Sequence, residues 1–119
     1  MATQNTTEKG SLMDWVAQLP DVTTSSHRFG GREFQVDGLE FMHFHGPRHL
    51  DIRLSLADQR RVLSEGRAQE HRFAPQAGWV TVITISNDDI AQAKEVIQLA
   101  YSNAREIVRN HIERRNAKS

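Results

Sequence analysis

Three short runs of alternating side chains, joined by turns too tight for a helix, do most to limit what this chain can fold into. Arg32 to Val36 alternates, with Phe34 and Val36 on one side. Asp37-Gly38 follows, a pair suited to a two-residue hairpin turn because both residues tolerate positive φ. Leu39 to His45 forms the return strand, and Gly46-Pro47-Arg48 turns the chain again. His49 to Ser55 then places Leu50, Ile52 and Leu54 on one side and His49, Asp51 and Arg53 on the other. Strands linked this closely pair antiparallel, because a parallel return needs a crossover of a dozen residues or more.

The flanking segments supply helices to cover that sheet. Leu12, Trp15, Val16 and Leu19 keep helical spacing from Ser11 until Pro20 stops them. Asp21 to Ser26 reads as a loop or an edge strand, and Gly30-Gly31 as a turn. Ser55 with Asp58 marks a helix start, Leu56, Val62 and Leu63 form its apolar side, and Gly66 ends it. Arg67 to Pro75 reads as an irregular or weakly extended connection, and Trp79 to Ile85 is rich in strand-forming residues. A long helix follows Ser86, its stripe running through Ile90, Ala93, Ile97, Ala100, Tyr101, Ala104 and Val108. From residue 87 to 113 it would extend ~40 Å, so its last turns are expected to project, fray or meet a second copy of the chain.

The expected fold is therefore α+β: an antiparallel sheet of four or more strands, element order α-β-β-β-α-β-α, with helices packed on one face and a long C-terminal helix. A chain of 119 residues has room for one such domain, over residues 11–119, after a polar and flexible leader at 1–10. That leader lacks the apolar core of a signal peptide, and no run is long enough to span a bilayer, so a cytoplasmic location without membrane contact is the expectation.

Chemistry concentrates in LEFMHFHGPRHLDIR, residues 39–53. His43 and His45 are two apart on one strand, so their imidazoles emerge on the same face. A three-residue turn at 46–48 would set His45 opposite His49, His43 opposite Asp51 and Phe41 opposite Arg53. Phe44 would then meet Leu50, and Met42 would meet Ile52, on the apolar side. This register keeps the two kinds of side chain apart, whereas a slip by one residue would mix them. Leu39 and Phe41 would share the histidine face and indicate that it is partly covered.

Such a face admits several readings. Neutral imidazoles of His43 and His45 could bind zinc or another divalent ion, with His49, Asp51 or His71 as the further ligand. Cysteine is absent, so thiolate ligands and cysteine nucleophiles are excluded. A histidine beside Asp51 could act as general base while Arg53 orients an anionic substrate, or the cluster could hold a phosphate or carboxylate without chemistry. It could equally be a cross-strand polar pair on a half-wet sheet. His71 and Trp79 complete the candidate ligand-binding set of His43, His45, Asp51, Arg53, His71 and Trp79. His71 could instead be a loop histidine bonded to backbone, and Trp79 a core anchor.

The stretches HRFGG (27–31), EFMHFHG (40–46), EGRAQEH (65–71) and GWVT (78–81) resemble the small luciferase-domain family, formerly a domain of unknown function. The resemblance runs from about His27 to Tyr101. Arg72 stands where relatives often carry a second histidine. The resemblance implies a small-molecule or metal-binding domain with no established reaction. Neither a glycine-rich dinucleotide fingerprint nor a P-loop is present, so no flavin or nucleotide cofactor is expected.

The element order is also similar to that of MmcQ/YjbR-like proteins, often described as DNA binders, which implies a macromolecular binding module as the rival reading. Charge weighs against it. Lys+Arg and Asp+Glu number 15 each, so a broadly basic nucleic-acid surface is not expected. Arg105 to Ser119 is locally basic, and the apolar stripe persists through Ile112, which makes a homodimer through the C-terminal helix the other expected partnership.

Overall fold

The computed structural model describes residues 12–26, 31–72 and 74–118. The expected leader and Gly30 of the Gly30-Gly31 turn lie outside them. A first helix, α1, covers 12–17 and is followed by β1 (Val22–Ser26), β2 (Arg32–Val36), β3 (Leu39–Gly46) and β4 (His49–Arg53). Then come α2 (Leu56–Ser64), a two-residue strand β5 (Gln69–Glu70), a 3-10 turn (Pro75–Ala77), β6 (Trp79–Ile83) and α3 (Asn87–Lys118). The six strands form one antiparallel sheet in the order β1-β2-β3-β4-β6-β5. The α+β class, the antiparallel sheet and the long terminal helix are as the sequence predicts.

Local chemistry accounts for the element boundaries. Asp37 and Gly38 have φ of 49° and 84°, the left-handed pair of a type I′ turn. The Ser55 hydroxyl accepts the Asp58 backbone N–H at 3.1 Å and starts α2. At the start of α3, Asp89 Oδ2 accepts the backbone N–H groups of Ile85 and Ser86, and the Ser86 hydroxyl accepts that of Asp89. Those backbone bonds hold the Asp89 carboxyl below its ordinary pKa. Asp21 to Ser26 resolves to an edge strand, tied to β2 by Thr23 donating to Gln35 and Thr24 to the Glu33 carbonyl.

One apolar core lies between the sheet and the helices. Leu12 and Val16 of α1, Val62 of α2, and Ala93, Val96, Ile97 and Ala100 of α3 meet Phe34, Met42, Phe44, Leu50, Ile52 and Val80 from the strands. Edge-on ring contacts join Phe34 to Phe44 and Phe41 to Tyr101, each with centroids 5.9 Å apart. The Tyr101 hydroxyl donates to the Pro20 carbonyl at 2.8 Å and fixes the α1–β1 connection against α3. Side chains from Arg109 to Ala117 are exposed, so the last turns of α3 run past this core.

Strand β3 departs from the expected register at two points. Phe34 pairs with Met42 and Gln35 with Glu40, which leaves Phe41 as an extra residue, a β-bulge. The bulge reverses the alternation. Phe41 therefore turns into the core beside Met42, and Leu39 packs against the core as well, so neither lies on the histidine face. The expected Phe41–Arg53 pair does not form, and Arg53 pairs with Trp79 instead. At the other end of β3, Phe44 pairs with Leu50 but Gly46 with His49, so His45 is a second extra residue and the turn is Pro47-Arg48. A two-residue turn keeps polar and apolar faces sorted here because the bulge absorbs the odd residue.

Candidate metal centre

The outer face of the sheet carries one transverse row of polar side chains. Cross-strand pairing aligns Glu33 with His43, His43 with Asp51, Asp51 with Thr81, and Thr81 with Gln69, which spans five strands. Asp51 occupies the centre of this row and is buried at 3 % exposure. Its Oδ1 accepts the Thr81 hydroxyl at 2.8 Å. Its Oδ2 faces three imidazoles: Nε2 of His45 at 2.6 Å, of His43 at 3.1 Å and of His71 at 3.3 Å. His43 Nε2 and His45 Nε2 are themselves 3.1 Å apart.

A second carboxylate fixes His43 from behind. The bulge at Phe41 turns Glu40 onto the histidine face, where its Oε2 accepts the His43 Nδ1–H at 2.7 Å. Burial disfavours the charged His43 ring, but the hydrogen bonds to Asp51 and Glu40 outweigh it and raise the pKa from 6.5 to about 9. Burial would likewise raise Asp51, yet its bonds with His43, Thr81 and His45 and the charge of His71 hold it well below the usual carboxylate range.

His71 arrives on the loop after β5. Its Nδ1 accepts the Ala74 backbone N–H at 2.9 Å, which assigns the ring proton of the neutral form to Nε2, the atom facing Asp51. The indole of Trp79 lies against two of these rings, 5.2 Å from that of His43 and 6.1 Å from that of His71. Arg53 is turned elsewhere, its Nε donating to the Ala77 carbonyl at 3.3 Å. The structure thus brings His43, His45, Asp51 and His71 together with Trp79 against them, and leaves Arg53 to one side.

Sequence reasoning missed Glu40 and Thr81. A signal for Glu40 is present, since the apolar positions change phase from Leu39 and Phe41 to Met42 and Phe44, as a bulge between 41 and 42 requires. Thr81 could be placed only once β6 was known to lie beside β4.

His43, His45 and Asp51 are together able to hold a metal ion. A tetrahedral ion with bonds of ~2.0–2.1 Å has ligand–ligand edges of about 3.3 Å. The His43–His45 and His43–Asp51 separations of 3.1 Å match that figure closely, and the His45–Asp51 edge of 2.6 Å is contracted to a direct hydrogen bond. The three atoms open onto a cavity of about 940 Å³, whose wall also includes His49, His71 and Arg72. Among the described residues no helix is long and apolar enough to cross a membrane.

The family model for the Luciferase domain matches residues 38–100, just over half of the chain and the segment that builds this face. No curated protein matches the chain.

Proposed function

The chain belongs to the luciferase-domain family, and we propose that it binds one divalent transition-metal ion through His43 Nε2, His45 Nε2 and Asp51 Oδ2. One observation carries this reading. Two imidazole nitrogens face each other at 3.1 Å while both face the same buried carboxylate oxygen. Protons can bond each ring to the carboxylate, but with both N–H groups converging on one oxygen no bond joins the two nitrogens. A single cation placed among the three atoms bonds to all of them.

Several further features support the assignment. Glu40 holds the Nδ1–H of His43, the carboxylate–histidine support that fixes a ligand's tautomer and raises its basicity. Thr81 gives Asp51 the same help at its other oxygen. His71 stands one step back, because a ring whose Nδ1 accepts a backbone N–H keeps its proton on Nε2, which here faces the ligand carboxylate at 3.3 Å. Of the further ligands that the sequence offered, His49, Asp51 and His71, Asp51 takes the third position in this reading. Three protein ligands leave a coordination position toward the cavity, the pattern of reactive rather than purely structural ions. Two imidazoles and one carboxylate suit zinc, and also ferrous iron.

The test uses untagged protein stripped with chelator. Elemental analysis after reloading with zinc or with anaerobic Fe(II) should give one ion per chain, along with a rise in melting temperature. His43→Ala combined with His45→Ala should lose the ion, and Asp51→Ala should lose it too, while His71→Ala should keep the stoichiometry. Protein that retains no ion and shows no thermal shift with either metal refutes the reading.

A further inference from the structure

The cavity in front of the three ligand atoms is far larger than a bound water requires. Its volume of about 940 Å³ lies at the upper end of small-molecule pockets, which run ~300–1,000 Å³. Its charge is uneven. With the histidines neutral, the wall offers one cationic side chain, Arg72, and two carboxylates, Asp51 and Glu70. A divalent ion at the centre tips that balance, since its two charges and that of Arg72 exceed the two carboxylates by one. Glu40, the remaining acid of the centre, bonds His43 from behind and is not part of the wall.

From the ion's open position, the cavity volume and the placement of Arg72 on the wall, we infer that the site takes an organic oxyanion. Its carboxylate or phosphate oxygen completes the metal coordination, and Arg72 supplies the countercharge. This rests on the metal reading above. Arg72 replaces Arg53 in the role that the sequence suggested, because Arg72 lines the cavity whereas Arg53, whose Nε donates to the Ala77 carbonyl, does not. The rest of the ligand has Pro75 and the imidazole rings to lie against. An oxyanion suits such a position because it is a hard donor that both a divalent ion and a guanidinium bind through charge-assisted contacts.

Cobalt(II) offers a readout that separates this inference from the metal assignment. The cobalt-loaded protein has visible bands that report the ligand set directly. Acetate and inorganic phosphate serve as the two oxyanion probes, and acetamide as the neutral control. We expect saturable band shifts with at least one anion and none with acetamide, and the anion that saturates at lower concentration identifies the class. Arg72→Ala should weaken that anion roughly tenfold without altering cobalt stoichiometry, and Arg72→Lys should restore most of the loss. Arg72 is exposed, so neither variant is expected to disturb the fold. Cobalt bands that ignore both anions overturn the inference and leave the metal site standing, as do bands that respond equally in Arg72→Ala. A protein that takes up no cobalt overturns both.

Discussion

Raising the pH of the metal-free protein should weaken it, through His43. In the folded chain this ring has a pKa of about 9, against 6.5 when unfolded. Below pH 6.5 both states carry the proton and the bonds to Asp51 and Glu40 contribute in full. Between 6.5 and 9 the folded state holds a proton that the unfolded state has released, so stability falls steadily as pH rises, and the contribution is gone above about 9. The interval from 6.5 to 9 corresponds to ~3.4 kcal/mol at ~1.36 kcal/mol per pH unit. Glu40 is 29 % exposed, so solvent screens part of its attraction, and about 2 kcal/mol is the sounder expectation. Urea unfolding followed by far-UV circular dichroism, on chelator-treated protein at half-unit steps from pH 6 to 9.5, measures the slope. Glu40→Gln removes one of the two acceptor charges and should flatten it by about half. Saturating zinc should reverse its sign below pH 8, because the ion displaces the His43 Nε2 proton and binds more tightly as protons become scarce. Apoprotein stability that is level or rising between pH 6.5 and 9 would refute the electrostatic account of this cluster.

Two other outcomes follow from particular contacts. Gly78 has φ of +93°, and a Cβ there would lie 2.1 Å from the Leu54 carbonyl oxygen, so Gly78→Ala should cost roughly 3 kcal/mol or more, read as a lower urea midpoint. Thr81→Val keeps the shape but removes the hydroxyl that donates to Asp51 Oδ1, and should weaken zinc ~10-fold in a chelator competition with the fold intact.

Much of the architecture was legible because hydrophobic phase and turn chemistry agree. Asp37-Gly38 specified its turn, Ser55 and Ser86 specified their helix starts, and the pairing of His43 with Asp51 followed from sorting polar from apolar side chains. The unread parts share a cause: each depends on pairing that a single strand does not encode. Gln69 and Glu70 carry no strand pattern and extend only because β6 offers them an edge. β1 is exposed along most of its length, so its VTTSS sequence could not separate strand from loop. The turn after His45 was assigned three residues because regular alternation was assumed, and the bulge at His45 satisfies the same sorting with two. The candidate site followed the same division. His43, His45, Asp51 and His71 were foreseen as neighbours, whereas Glu40 required the bulge at Phe41 and Thr81 required the strand order.

The extra residue at Phe41 lets strand β3 send two consecutive side chains, Phe41 and Met42, into the core. Deleting that one position would restore an unbroken pleat in which Glu40 still faced Gln35 on the histidine side and Leu39 still faced Val36 on the core side, and only the Phe41 ring beside Tyr101 would be lost. The core would lose one buried ring, while the carboxylate behind His43 kept its place. Straightening the strand with all its residues kept is the damaging change, because regular alternation would then turn Phe41 outward and Glu40 inward, and both sides of the sheet would suffer at once.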